Sequence, residues 1–143
     1  MPRTSSSTPR PLLEALLQQE RETFELRLPR SALSHHRAAT LLPLGVSSSF
    51  QYFEPFPITI SHADGAWAWD VDGRRYLDLN MGFGAMLTGH RHPHVVEAVA
   101  KQLERGTLFV APNTLQTEVA EQLRERFSLP QWRFTNSGTE SLQ

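Results

Sequence analysis

Residues 131–143, QWRFTNSGTESLQ, decide how this chain is read. An apolar stretch from Trp132 to Thr135 runs into Asn136-Ser137-Gly138-Thr139-Glu140, and small and hydroxyl residues in that order end a strand and open a helix. The first N–H groups of a helix lack internal partners, and the helix dipole favours an anion there. One reading is that the Gly138 and Thr139 amides and a hydroxyl grip a phosphate. An ordinary helix cap uses the same residue types, so both readings stand on these residues alone. No G-x-x-x-x-G-K-[ST] occurs, which excludes a P-loop, and no dinucleotide-type G-x-G-x-x-G lies at the junction.

Working outward, residues 11–28, PLLEALLQQERETFELRL, are expected to form a helix with Pro11 near its first turn and an apolar stripe of Leu13, Leu16, Leu17, Phe24 and Leu28. Pro29 ends it, and 31–51 reads as a connector with paired histidines and a serine run. Residues 58–80, ITISHADGAWAWDVDGRRYLDLN, alternate with period two and carry turn signals at Ala63-Asp64-Gly65 and Val71-Asp72-Gly73. Three short antiparallel strands are expected near 57–62, 66–70 and 75–79. After the glycine-bearing loop MGFGAMLTGH, Pro93 opens a helix with Val95, Val96, Val99 and Leu103 inward and Gly106 as its C-terminal cap. A further helix starts near Thr114, read as its N-cap, with Leu115, Val119, Leu123 and Phe127 on one face. Pro130 breaks that pattern, and 131–136 is expected to be a strand, the first of an α/β sheet. A parallel sheet needs neighbouring strands and helices on both faces. The chain is therefore expected to be the front of a larger one, incomplete as a domain.

At 143 residues the chain has the length of one domain, able to bury about two thirds of its unfolded surface. Fourteen basic and fifteen acidic residues leave a net charge of −1, so no net field draws it to nucleic acid or an anionic membrane. Cysteine is absent, which excludes disulfides and cysteine-ligated metal. The apolar runs fall far short of the roughly 20 residues of a membrane span. Residues 1–11, MPRTSSSTPRP, read as a disordered tail, since they lack the apolar core of a secretion signal.

Several residues invite chemistry. His90, His92 and His94 have a metal reading, but Pro93 swings His94 away and no cysteine or carboxylate accompanies them; loop and helix-entry roles are preferred and no metal is expected. Phe83, between Gly82 and Gly84, either stacks on a flat ligand or is a buried aromatic in a tight loop. Asp70, Asp72 and Asp78 read as turn and surface residues. Ser47-Ser48-Ser49 lacks a histidine partner and reads as a flexible loop.

Taken together, residues 64–79 (DGAWAWDVDGRRYLDL), 89–99 (GHRHPHVVEAV), 104–121 (ERGTLFVAPNTLQTEVAE) and 133–141 (RFTNSGTES) resemble class III pyridoxal-phosphate aminotransferases in order and spacing. The likeness covers residues 43–143 and is greatest to glutamate-1-semialdehyde aminomutases and related β-amino-acid aminotransferases. The resemblance implies a fold-type-I α/β enzyme that is cytoplasmic and homodimeric, acts on a small-molecule amino compound and uses pyridoxal 5'-phosphate. Ser137, Gly138 and Thr139 would hold the cofactor phosphate. Residues 12–80 would lie on the small-domain side and 81–143 would begin the large domain.

Two departures bear on substrate. In the aminomutases the stretch matching PLGVSSSFQ (43–51) reads P-G-G-V-N-S-P-V-R, and its arginine helps hold a substrate carboxylate. Here Ser48 is kept, but Gln51 stands at the arginine's place, and Phe83 stands where that loop carries a tryptophan. Gln51 is neutral and cannot form a bidentate charged pair. A substrate other than glutamate 1-semialdehyde, such as a β-amino acid (EPFPITI also suits that branch), is the alternative. Ser48, Gln51 and Phe83 are the candidate substrate-binding residues. The family's Schiff-base lysine lies downstream; the single lysine here, Lys101, falls on the polar face of a helix, so no catalytic residue is expected in this chain. A non-catalytic dimerisation or complementing piece of a split enzyme, or an unrelated anion-binding module, is the alternative reading.

Overall fold

The computed structural model describes residues 10–142. They fall into two compact units, Met1–Val96 and Glu97–Gln143. In the first, helix α1 (Arg10–Arg27) leads directly into α2 (Pro29–Ala39). Two short 3₁₀ turns, Pro43–Gly45 and Ser49–Gln51, follow. Then come three strands, β1 (Ile60–Asp64), β2 (Trp67–Asp70) and β3 (Arg75–Leu77), in antiparallel order β1-β2-β3. The division between the units falls inside α3 (Pro93–Leu103). The second unit continues with α4 (Thr114–Phe127) and the short α5 (Gly138–Ser141). No helix of the described residues is long and apolar enough to cross a membrane.

The meander is where the alternating pattern placed it. Its pairs include His62 with Trp69, Trp69 with Arg75 and Trp67 with Leu77, so these side chains share one face. The opposite face carries Ala68 and Asp70, both buried. The small core of the unit is Leu28, Phe56 and Ala68, with Phe24 set against Phe56 at a ring separation of 5.2 Å.

Helix α2 corrects the reading of 31–51 as a connector. Pro29 ends α1 and also occupies the first turn of α2, where its missing N–H breaks no bond. The cap comes from far along the chain. Asp72 accepts hydrogen bonds from the Arg30 N–H (2.8 Å), the Ser31 N–H (2.9 Å) and the Ser31 hydroxyl (2.7 Å). Burial raises the Asp72 pKa, but the bonds from the Ser31 side chain and the two backbone N–H groups outweigh it and hold the carboxyl below its ordinary 3.8. Ser31 is fully buried, and its hydroxyl also accepts from the Thr59 N–H at 3.3 Å. Asp70 is likewise no surface residue. It is 2% exposed and accepts from the Arg74 N–H and the Tyr76 hydroxyl, each at 2.7 Å. Burial, with the bond to Asp70 next, pushes the Tyr76 phenol up to about 12.

Three other expectations shift. Helix α1 begins at Arg10, taking two residues from the expected tail; the rest of the tail, 1–9, lies outside the described residues. Asn113, not Thr114, is the N-cap residue of α4. Residues 131–136 are not a strand, because a strand exists only as part of a hydrogen-bonded ladder and no partner strand is present among the described residues. The apolar faces of α3 and α4 form as expected but stay open: Val95, Val96, Val99 and Leu103 are half or more exposed.

Replacing Asp72 by Ala should lower the unfolding free energy at pH 7 by about 1–2 kcal/mol, the scale of a lost helix cap. Because the folded-state pKa of Asp72 is depressed, its contribution is complete above about pH 4 and is lost as pH falls through the folded value. Urea denaturation of both proteins should therefore show a gap that closes on acidification; a gap constant with pH would remove the carboxylate from this role.

Candidate functional site

The turn singled out in the sequence lies in the second unit. Ser137 is the N-cap of α5, and its Oγ accepts the Glu140 N–H at 3.2 Å. The Glu140 carboxylate reaches back to the Asn136 N–H at 2.9 Å, an arrangement close to a capping box. The helix-cap reading of these residues is thus realised, and it leaves donors over. The Gly138 and Thr139 N–H groups have no acceptor among the described residues. The Ser137 hydroxyl accepts in the cap and still has its proton to give. A Cβ built on Gly138 would meet nothing within 4 Å, so the space beside its backbone is open. Two free amides, two hydroxyls and open space fit the oxygens of a phosphate; the Glu140 carboxylate in the same turn, held by Asn136, works against a second negative charge.

Ser48, Gln51 and Phe83 lie in the first unit, where Ser48 and Gln51 meet directly and Phe83 reaches their turn through Phe50. The Gln51 Oε1 accepts the Ser47 hydroxyl at 2.8 Å and the Ser48 N–H at 3.3 Å. The serine stretch read as a flexible loop is therefore folded into a 3₁₀ turn closed by its own glutamine. Phe50 stands edge-on to Phe83, ring centroids 5.4 Å apart. Phe83 is 76% exposed, which removes the buried-aromatic alternative within this unit. Its backbone is left-handed (φ 57°) and its N–H is held by the Asn80 side chain at 2.7 Å.

The loop carrying Phe83 is tied down by residues whose role the sequence did not disclose. Asp78 accepts the Asn80 and Met81 N–H groups, both at 2.9 Å, through one oxygen and meets the His90 Nε2 at 2.7 Å with the other. His90 also exchanges backbone hydrogen bonds with Gly65 (2.8 and 2.9 Å). A side chain at Gly89 would strike the Gly65 backbone at 3.0 Å. The hydrogen bond from His90, followed by that from the Met81 N–H, holds the Asp78 carboxyl below its ordinary value. His90 is thus spent on the loop, while His92 and His94 pack edge-on with centroids 5.5 Å apart. An aspartate twelve residues before a histidine is only a faint signal in one dimension. Lys101 sits exposed on α3, its Nζ 2.6 Å from Glu97 one turn earlier.

Residues 50–143 match the family described as aminotransferase class-III. The chain is 44% identical to a glutamate-1-semialdehyde 2,1-aminomutase of Chloroflexus aurantiacus over 80% of its own length and 27% of that relative. It is 37% identical to the enzyme of that name from Methanothrix thermoacetophila, over 84% of itself and 28% of the relative. Among solved structures it is similar to a β-phenylalanine aminotransferase from Variovorax paradoxus (TM-score 0.83, 34% identity, 90% of this chain and 30% of that one). It is also similar to a glutamate-1-semialdehyde aminomutase from Pseudomonas aeruginosa PAO1 (TM-score 0.81, 30% identity, 90% and 29%). The fold expected from the four sequence blocks is therefore shared with these enzymes, and the chain spans less than a third of their length.

Substituting His90 by Ala should move the Asp78 carboxyl pKa back up toward its ordinary value and speed hydrogen exchange at the Asn80 and Met81 amides, both read by NMR. An unmoved Asp78 titration would show that the His90 contact carries no weight.

Proposed function

We propose, from the premise that this chain belongs to the class-III aminotransferase family, that it contributes the phosphate-binding turn and part of the substrate pocket to a pyridoxal-phosphate enzyme acting on an amino acid or amino-aldehyde. The observation that carries this reading is the pair of free amides at Gly138 and Thr139 beside open space. Ser137 and Thr139 would add hydroxyl donors, and Ser48, Gln51 and Phe83 would face the amino compound. When bound, the cofactor supplies the electron sink for amino-group chemistry. What these residues do is hold and orient its phosphate. The complete enzyme is read as a cytoplasmic homodimer, with 12–80 on the small-domain side and 81–143 opening the large domain.

The lysine required by such chemistry is not offered by this chain. Lys101 is exposed and paired with Glu97. A β-amino acid is the second reading of the substrate, favoured by Gln51 at the arginine's place and by the likeness to a β-phenylalanine aminotransferase. The alternative role of a non-catalytic complementing piece shares the same turn and differs only in where the rest of the enzyme is encoded.

Two measurements test this. In the complete enzyme, whether its remainder is joined to this chain or supplied as a second polypeptide, Thr139→Val should weaken pyridoxal phosphate binding by roughly tenfold to a hundredfold, about 1.5–3 kcal/mol for a hydrogen bond to a charged group. Gly138→Val should be worse, although its side chain meets nothing within this chain. Pyridoxal without the phosphate should be far less affected; equal losses for both forms would refute the assignment of the turn. Separately, borohydride reduction of this chain mixed with micromolar pyridoxal phosphate should give no stoichiometric, saturable adduct at Lys101. Such an adduct would overturn the reading of Lys101 as a surface residue.

A further inference from the structure

A cleft of about 660 Å³ in the first unit runs between α2, the two 3₁₀ turns and the start of β1, a size that suits a small organic ligand. Gln51 and Phe50 line it, together with Phe53, Ile58, Ile60 and Asn80. Among the described residues its lining holds no arginine, lysine or carboxylate, and His35 is the one ionisable side chain there.

The two amides in this wall can be oriented from chemistry alone. A backbone N–H can only donate. The Ser48 N–H is directed at Oε1 of Gln51 (3.3 Å) and the Phe83 N–H at Oδ1 of Asn80 (2.7 Å). Both carbonyl ends are therefore already accepting, that of Gln51 from the Ser47 hydroxyl as well, and what each amide has left to give is its NH₂, a neutral donor. Around them stand the rings of Phe50 and Phe53 and aliphatic groups, with Ser34, Ser47 and Thr59 as further neutral residues of the lining; Phe83 lies outside it, edge-on to Phe50. A carboxylate placed here would lose its water and gain neutral donors only, with no cation to offset the cost. An aryl or branched alkyl group would instead bury apolar surface.

We infer that this cleft receives an uncharged aryl or alkyl group, so that the amino compound handled here bears an apolar side group and not a second carboxylate. That the group belongs to a substrate rests on the function proposed above. Binding in the cleft itself needs neither the cofactor nor residues 137–139, so the two readings fail separately.

The test uses this chain and two probes, 3-phenylpropanamide (neutral, aryl) and glutarate (a dianion), with binding followed by NMR at Phe50, Ile58 and Ile60. Both are measured at pH 8. Phenylpropanamide should shift these signals saturably, and glutarate should bind at least roughly tenfold more weakly. Glutarate binding as well as the amide, or neither probe moving the lining residues, would overturn the inference. Gln51→Arg should reverse the preference by admitting the dianion. Because that change also removes the closure of the 3₁₀ turn, Ile60→Lys supplies a cation from the far side of the cleft and should likewise tighten glutarate. If both folded variants still reject glutarate, missing charge is not what sets the preference.

Discussion

Two carboxylates that flank Val71 hold the first unit together. Asp70 and Asp72 sit in one hairpin turn, and each is met by its own set of donors. A buried carboxylate is tolerable only when its oxygens are satisfied. Asp70 meets that condition within the hairpin, through the Arg74 N–H and the Tyr76 hydroxyl. Asp72, only partly buried, gives its oxygens to the start of α2 instead. Once α2 is fixed to the meander, His35 lies against Phe56, and its ring occupies the space where a Cβ on Gly45 would stand, 2.6 Å away. That contact demands glycine at 45, which also adopts a positive φ of 66°. The segment through Ser48 and Gln51 is thereby set beside the cleft.

The same device recurs at the end of the meander. Asp78 gathers two backbone N–H groups and His90, which fixes the loop bearing Phe83. In each case a carboxylate organises backbone instead of taking part in reaction chemistry. Aspartates that look like turn residues in the sequence are the joints between the elements.

What the sequence disclosed follows from how local each signal was. The meander was legible because alternation and two Asp-Gly turns are written within 23 residues. The capped turn at Ser137 was legible for the same reason. Helix α2 was missed because its cap lies 41 residues away from Ser31, where no local motif can register it. The Asp78–His90 contact was hidden likewise, since only folding brings its partners together; the glutamine-closed turn is local, and the serine run before it was read as a flexible loop because a glutamine acceptor three and four residues on is a weak signal. Residues 131–136 failed as a strand because β structure is a property of pairs. The substrate-side residues were named through family likeness, but the neutrality of the cleft became visible only when the acceptors of Gln51 and Asn80 could be traced.

The second unit is different in kind. Its helices expose the apolar faces that their periodicity wrote, and its last turn presents donors without acceptors among the described residues. Free amides at a helix start, beside a glycine with open space over it, are the feature on which the proposed role rests. The most direct measurement is a structure of the complete enzyme with pyridoxal phosphate bound. Expected is a phosphate whose oxygens lie about 3 Å from the Gly138 and Thr139 nitrogens. A phosphate seated elsewhere, with those two amides facing water, would contradict the account.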